Sequence, residues 1–144
     1  MSAELIDRAR LRRSLDEIVA HTERDRDAGR MRPWVHARLE KDVGAVAEFE
    51  QFGSPFEFRA DESIDRGGHG SAPSPMRYLL SSLAFCALGW IAKTWAARDI
   101  PSRSLEADVR TFLDVRGEHL VGGTVPNPQW FVIEVHIDDV RASE

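Results

Sequence analysis

The amino-acid sequence predicts an α+β fold with an antiparallel sheet meander, a buried central helix and an extra helix at the N-terminus. Three observations support this prediction. Several short segments alternate apolar and polar residues, which is typical of strands with one covered face. A long apolar segment in the middle of the chain indicates a helix, and the charged N-terminal segment carries one apolar stripe at helical spacing.

The chain has 144 residues, of which 42% are hydrophobic. This length and composition suit one modest core, so we expect one principal domain over residues 31–144. Residues 1–30 precede it as an amphipathic segment, with the helix itself at residues 4 to about 28. The apolar stripe of this helix consists of Leu11, Leu15, Ile18 and Val19.

The formal net charge is -5 at pH 7, and the basic residues are spread along the chain. We therefore expect no nucleic-acid partner and no attraction to an anionic membrane surface. The most apolar stretch, residues 78–97, also contains Lys93 and two serines, so it indicates a core helix rather than a membrane span. With one cysteine and no visible signal peptide, a cytoplasmic location is the simplest expectation.

The alternating segments fall into two groups. Residues 33–41, 45–52 and 56–59 are separated by short turns, so they predict a three-stranded antiparallel meander. Residues 105–115 and 131–138 alternate in the same way and predict two further strands, joined by a connection rich in glycine and proline.

A loop and a long helix lie between the two groups of strands. The loop, residues 61–73, has three glycines within four positions, which permits backbone conformations closed to other residues. Ser74 then predicts a helix cap, and Pro75 suits the first turn of a helix that runs to about Arg98. Apolar residues lie nearly all the way round this helix, so we expect it to be buried on all sides.

The segment from Gly67 to Cys86 resembles the signature of the OsmC/Ohr family of hydroperoxide-handling proteins. It combines a Gly-Gly loop, a Pro-x-Pro step, an apolar helix start and a cysteine eleven residues after Pro75. The strands before and after the helix are also similar to the family. The resemblance covers about residues 33–138 and implies an OsmC/Ohr-like fold.

The resemblance implies a peroxidase chemistry that depends on Cys86, the only cysteine of the chain. In the family, the thiolate attacks the terminal oxygen of an organic hydroperoxide and becomes a sulfenic acid. An arginine from the first hairpin and a glutamate near the helix start activate the thiolate, and a second cysteine resolves the sulfenic acid. Family members form homodimers with active sites at the subunit interface, so we expect a homodimer here.

The sequence departs from the family pattern at several positions. Met76 and Arg77 stand where family members carry glutamate, and no second cysteine occurs. We also expect the family's last helix and strand to be missing, because the chain ends soon after residue 138. Turnover within these residues therefore needs an external thiol as the reductant.

Attack on a peroxide requires a nearby cation, because a cysteine near its ordinary pKa of about 8.5 is mostly protonated at neutral pH. The nearest counterparts of the family's hairpin arginine are Arg38 and Lys41, and Arg66 in the loop is a third candidate. We predict that one of these cations pairs with Cys86. The alternative is that Cys86 is a small core residue without redox activity.

Three residues are candidates for substrate binding: His69 in the loop, Met76 at the helix start and Trp90 further along the helix. The alternatives are a solvated His69 and a Trp90 that packs in the core or at a dimer contact. The sequence contains no spacing typical of metal ligands and no phosphate-binding motif, so we expect no metal and no other cofactor.

Two functions stay open at this point. The first is an OsmC-like homodimer that reduces organic hydroperoxides through one cysteine and an external thiol. The second is a non-catalytic OsmC-like protein that holds a small apolar ligand at the dimer interface, which Met76 and the missing second cysteine favour. A family member shortened at its C-terminus is a third possibility.

Overall fold

The computed structural model describes residues 4–138 and contains helices together with two antiparallel sheets. This architecture confirms the predicted α+β class. Residues 1–3 and 139–144, which the predicted domains include, lie outside the described residues. The elements in chain order are α1 (Arg8–Arg24), β1 (His36–Lys41), β2 (Gly44–Gln51), β3 (Ser54–Ala60), α2 (Pro75–Arg98), β4 (Ser104–Thr111), α3 (Val115–Glu118) and β5 (Phe131–Asp138).

The chain divides into two compact units. One unit consists of Met1–Ala20 together with Leu80–Glu144, and the other consists of His21–Leu79. The predicted boundary between residues 30 and 31 stays a prediction.

The unit His21–Leu79 contains an antiparallel sheet in the order β1-β2-β3, which confirms the predicted meander. Paired residues of an antiparallel ladder point to the same side, so the register defines the two faces of the sheet. One face, which we call the apolar sheet face, carries aliphatic and aromatic side chains along most of its length and ends at the paired Gln51 and Ser54. Its members are Ala37, Leu39, Ala45, Ala47, Phe49, Phe56, Phe58 and Ala60.

The apolar sheet face is incompletely covered. Leu39 is 70% exposed and Phe58 is 50% exposed. Phe58 stacks on Tyr78 with ring centroids 5.6 Å apart, and the Tyr78 hydroxyl donates a hydrogen bond to the carbonyl of Arg59 at 2.6 Å. Val46, on the opposite face, is the one buried hydrophobic residue in the described part of this sheet.

Helix α2 has the predicted bounds. It begins at Pro75, whose missing N–H costs nothing in the first turn. At the other end, Asp99 adopts a left-handed conformation with φ 59, and the N–H of Ile100 donates to the carbonyl of Trp95 at 2.9 Å. This arrangement satisfies carbonyl groups that the end of a helix leaves unpaired.

Helix α1 contributes to the same helix end. The guanidinium of Arg12 donates two hydrogen bonds to the carbonyl of Ala96, at 3.1 and 2.8 Å. Arg8 hydrogen-bonds to the carbonyl and the carboxylate of Asp99, at 2.9 and 2.8 Å. Basic side chains stabilise the negative end of a helix dipole, so α1 holds the C-terminus of α2.

The prediction that α2 is buried on all sides is wrong for this chain. Among the described residues of α2, only Trp95 and Ala96 are buried, whereas Phe85 and Trp90 are each 71% exposed. An apolar pattern identifies the helix but does not say what covers it. By length and composition α2 would also be able to cross a membrane, a criterion that core helices satisfy as well.

The two late strands pair antiparallel, as β4 with β5, which confirms the predicted strands in outline. The predicted strand 105–115 is too long, because β4 ends at Thr111. Asp114 instead caps the short helix α3, and its side chain accepts a hydrogen bond from the N–H of Arg116 at 3.0 Å. Aspartate at a helix cap satisfies an unpaired N–H, so the local cap replaces the continuation of the strand.

Candidate functional site

Cys86 lies in the middle of α2, and its side chain is exposed. Trp90 follows it by four residues, so the two side chains are neighbours on one face of the helix. The ammonium group of Lys93 lies 5.4 Å from the centre of the Trp90 ring. The alternative of a Cys86 enclosed in the core does not hold within this chain.

Arg38, the first candidate cation, is engaged in ion pairs on the polar face of the three-stranded sheet. Its guanidinium lies 3.2 Å from the carboxylate of Glu40 and 3.3 Å from that of Glu48. Arg59 also pairs with Glu40. Burial acts to raise the pKa of Glu40, but the hydrogen bond from Arg38 and the charge of Arg59 outweigh it, so this pKa lies below its ordinary value.

Lys41 and Arg66 are the other two candidate cations. Lys41 is the last residue of β1, pairs with Gly44 in the ladder and is exposed. Arg66 ends a short 3-10 turn in the loop, with its Nε 3.4 Å from the carboxylate of Glu62. Both belong to the unit His21–Leu79, as Arg38 does, whereas Cys86 belongs to the other unit. The pairing of one of them with Cys86 stays a prediction.

The loop that precedes α2 is organised by Asp61, whose side chain is 2% exposed. Its carboxylate accepts hydrogen bonds from the N–H groups of Glu62, His69 and Ser71, at 2.8, 3.1 and 3.0 Å. The Ser71 hydroxyl donates a fourth, at 2.7 Å. The two hydrogen bonds from Ser71 are the largest cause of a pKa of Asp61 well below its ordinary value, so this carboxylate is ionised.

Two of the loop glycines are required for different reasons. A Cβ on Gly68 would lie 2.0 Å from the carbonyl oxygen of Glu62, which no side chain can occupy. Gly70 has a φ of +65 and open space around its Cα. Its N–H donates to the carbonyl of Glu62 at 2.9 Å, so the loop folds back on its own beginning.

His69, a candidate for substrate binding, is held at both its backbone and its side chain. Its N–H donates to Asp61, and its Nε2 lies 2.9 Å from the carboxylate of Asp42 in the turn between β1 and β2. The ring is exposed, which agrees with the alternative of a solvated histidine. The role of His69 toward a substrate stays a prediction.

Met76 is half-buried in the first turn of α2. Trp90 is largely exposed, so the alternative in which it packs in the core of its own chain does not hold. The substrate roles of Met76 and Trp90 stay predictions. Across residues 4–138, the structure has no cluster of three or more side chains able to hold a metal ion.

Asp61 is the organising residue that the sequence analysis missed. The loop was interpreted through its glycines alone, although the sequence offered a second signal. The loop begins with an aspartate, and a serine follows ten residues later. This pattern is typical of a loop whose backbone N–H groups and hydroxyl donate to one carboxylate.

The fold resembles a crystal structure described as a "putative osmotic stress induced and detoxification response protein" from Psychrobacter arcticus 273-4. The TM-score is 0.57 and the sequences are 20% identical, over 79% of this chain and 78% of that chain. At this identity the likeness shows a shared fold. No protein-family model matches the sequence, and no curated protein matches it.

Proposed function

We propose that this chain forms an OsmC-like homodimer that reduces organic hydroperoxides, with Cys86 as the peroxidatic thiol. The observation that carries the proposal is the exposed position of Cys86 in α2, on the same side of the helix as the exposed Trp90. The fold shared with a protein described as a detoxification response protein supports it. Apolar side chains near Cys86, such as Phe85 and Trp90, suit a hydroperoxide with an apolar organic group better than a small polar peroxide.

The chemistry requires one cysteine and two equivalents of an external thiol. The thiolate of Cys86 attacks the terminal oxygen of the hydroperoxide, the O–O bond breaks, and the leaving alkoxide takes a proton to become an alcohol. The resulting sulfenic acid reacts with an external thiol to give a mixed disulfide and water. A second external thiol then releases the Cys86 thiol and leaves as the oxidised disulfide.

A cation near the thiolate is part of the proposal, and Arg38, Lys41 and Arg66 are the candidates. The ion pairs of Arg38 are exposed and therefore contribute little, so this guanidinium is able to exchange a carboxylate for a thiolate. The test is the rate of Cys86 alkylation as a function of pH. Replacing all three cations by alanine should move the profile to higher pH, and an unchanged profile contradicts the proposed pairing.

The homodimer is proposed from the apolar side chains that the chain leaves uncovered. The apolar sheet face and the exposed Leu79 near the start of α2 stabilise a fold only when water is excluded from them. A second copy of the chain in the cytoplasm is the partner that we propose for these surfaces. A stable monomer in dilute solution would contradict this part.

The activity is tested by consumption of cumene hydroperoxide in the presence of excess dithiothreitol. The wild-type protein should turn over many equivalents, and Cys86→Ser should reduce the rate to that of dithiothreitol alone. Arg98→Ala serves as a matched control, because Arg98 is an exposed residue in the last turn of the same helix. Equal rates for the wild-type protein and Cys86→Ser would contradict the proposed activity.

A non-catalytic OsmC-like protein is the second candidate function. Arg38 and Arg66 lie beside glutamates, and Met76 stands at the position of a family glutamate, which weakens the case for an activated thiolate. Such a protein would hold a small apolar ligand at the dimer interface. Oxidation of Cys86 no faster than that of free cysteine, together with saturable binding of an apolar probe, would favour this function.

A further inference from the structure

A groove lined by aromatic rings and carboxylates lies within the unit His21–Leu79. Its volume is about 810 Å³. A second groove of about 590 Å³ shares three of its lining residues, so the two grooves adjoin. The shared residues are Trp34, Phe49 and Glu50.

The aromatic side chains that line the groove do not all lie on the side of its carboxylates. Phe49 and Phe56 stack with centroids 5.6 Å apart on the apolar sheet face, whereas Glu48, Glu50 and Glu57 belong to the opposite face. Trp34 is 71% exposed, so much of its ring is free to contact a ligand. The face of an aromatic ring carries partial negative charge and attracts a cation.

The carboxylates of the groove differ in their partners. Glu48 lies 3.3 Å from the guanidinium of Arg38, and Glu57 lies 2.7 Å from that of Arg59. Glu50, in contrast, has no ion pair within residues 4–138. The groove therefore combines the exposed ring of Trp34 with one carboxylate that has no ion pair in the part of the chain that the structure describes.

We propose that this groove binds a small organic cation with an apolar body, such as a substituted ammonium compound. The cationic group lies between Glu50 and the ring of Trp34, where both attract it. The apolar body extends into the second groove, which Met31 and Val35 line. Arg32 also lines the second groove, so the cationic group belongs in the first one.

The proposal goes beyond the peroxidase function and does not depend on it. Every residue of the groove belongs to the unit His21–Leu79, whereas Cys86 belongs to the other unit. Binding of the cation can therefore be measured with Cys86→Ser as well as with the wild-type chain. A failure of one proposal leaves the other in place.

The test is isothermal titration calorimetry of the full chain with three compounds of similar size. Benzyltrimethylammonium carries a positive charge, benzyl alcohol is neutral, and benzoate is negative. The cation should bind saturably, and the other two should bind at least about tenfold more weakly, because one charge interaction near a surface is worth about that factor. Equal binding of benzoate, or no saturable binding of the cation, overturns the proposal.

Substitutions locate the site. Glu50→Gln removes the charge and keeps the shape, so it should weaken cation binding by about five- to tenfold. Glu106→Gln removes the same charge from an exposed position on β4 and should leave the affinity unchanged. Trp34→Leu should weaken the binding of the cation more than the binding of benzyl alcohol, because the substitution removes the ring face and keeps an apolar side chain.

Equal affinities for the wild-type chain and Glu50→Gln would overturn the proposal. A second copy of the chain that covers the groove is the competing occupant. In that case the protein is a dimer in which acrylamide does not quench Trp34 and the cation does not bind, which also overturns the proposal. Circular dichroism of each variant verifies that the fold is retained.

Discussion

Replacing Gly68 by alanine should destabilise the loop before α2 far more than the same change at Gly70. The new methyl group would lie 2.0 Å from the carbonyl oxygen of Glu62 and 2.4 Å from its carbon, where ordinary contact begins at 3.4 Å. These atoms belong to the backbone and cannot rotate away. The two segments of the loop must therefore separate.

The separation breaks two backbone hydrogen bonds that close the loop. The N–H of Gly68 donates to the carbonyl of Ser63 at 3.0 Å, and the N–H of Gly70 donates to the carbonyl of Glu62 at 2.9 Å. A backbone group left without a partner costs about 1–3 kcal/mol. We therefore expect Gly68→Ala to lower the free energy of unfolding by about 4 kcal/mol.

Gly70→Ala is the matched control. It has open space around its Cα but a φ of +65, so it should cost about 1 kcal/mol through the left-handed conformation alone. The assay is urea unfolding followed by far-ultraviolet circular dichroism, at one fixed protein concentration because a dimer links stability to concentration. If Gly68→Ala is as stable as Gly70→Ala, the close packing deduced for the loop is wrong.

Three further changes follow from the contacts. Asp61→Asn should flatten the pH dependence of the unfolding free energy. The pKa of Asp61 is lower in the folded protein than in the unfolded chain, where it is about 4. The carboxylate therefore stabilises the fold above about pH 4, and this stabilisation is lost as the pH falls below that value. Urea midpoints between pH 6 and 2 measure this. Arg12→Ala should lower the unfolding free energy by about 1 kcal/mol, because it removes two hydrogen bonds to the end of α2. Leu39→Glu should shift the proposed dimer toward monomer in light scattering, because it puts a charge on the apolar sheet face.

Each of these changes has a comparison that separates it from a general effect. Arg13→Ala removes an exposed arginine next to Arg12 and should leave the urea unfolding midpoint equal to that of the wild-type protein within error. Leu120→Glu puts the same charge on an exposed connection and should leave the dimer intact. Equal acid sensitivity of Asp61→Asn and the wild-type protein would contradict the role given to that carboxylate.

The alternation of apolar and polar residues was sufficient to predict the strands, because side chains on a half-covered strand repeat every two residues. The bounds of α2 were also predictable, since Pro75 suits a first turn and the apolar run ends near Arg98. The end of β4 was missed, because Asp114 made a local cap that competes with strand pairing.

The burial of α2 was not predictable in the same way. The distribution of apolar residues along α2 indicates which side chains favour burial. Which surface covers them depends on the folded chain or on a partner. The candidate site was predicted less completely for a related reason. The sequence singled out Cys86 and His69, but Glu48 beside Arg38 and Asp42 beside His69 come from a strand and a turn that only folding brings near.

The reaction of the reduced protein with cumene hydroperoxide in a single turnover tests the proposed function most directly. Stopped-flow mixing follows the loss of the thiol, and dimedone followed by mass spectrometry locates any sulfenic acid. We predict saturable oxidation of Cys86, much faster than that of free cysteine at the same pH. Oxidation at the rate of free cysteine, without saturation, would contradict the peroxidase function and leave the fold assignment unaffected.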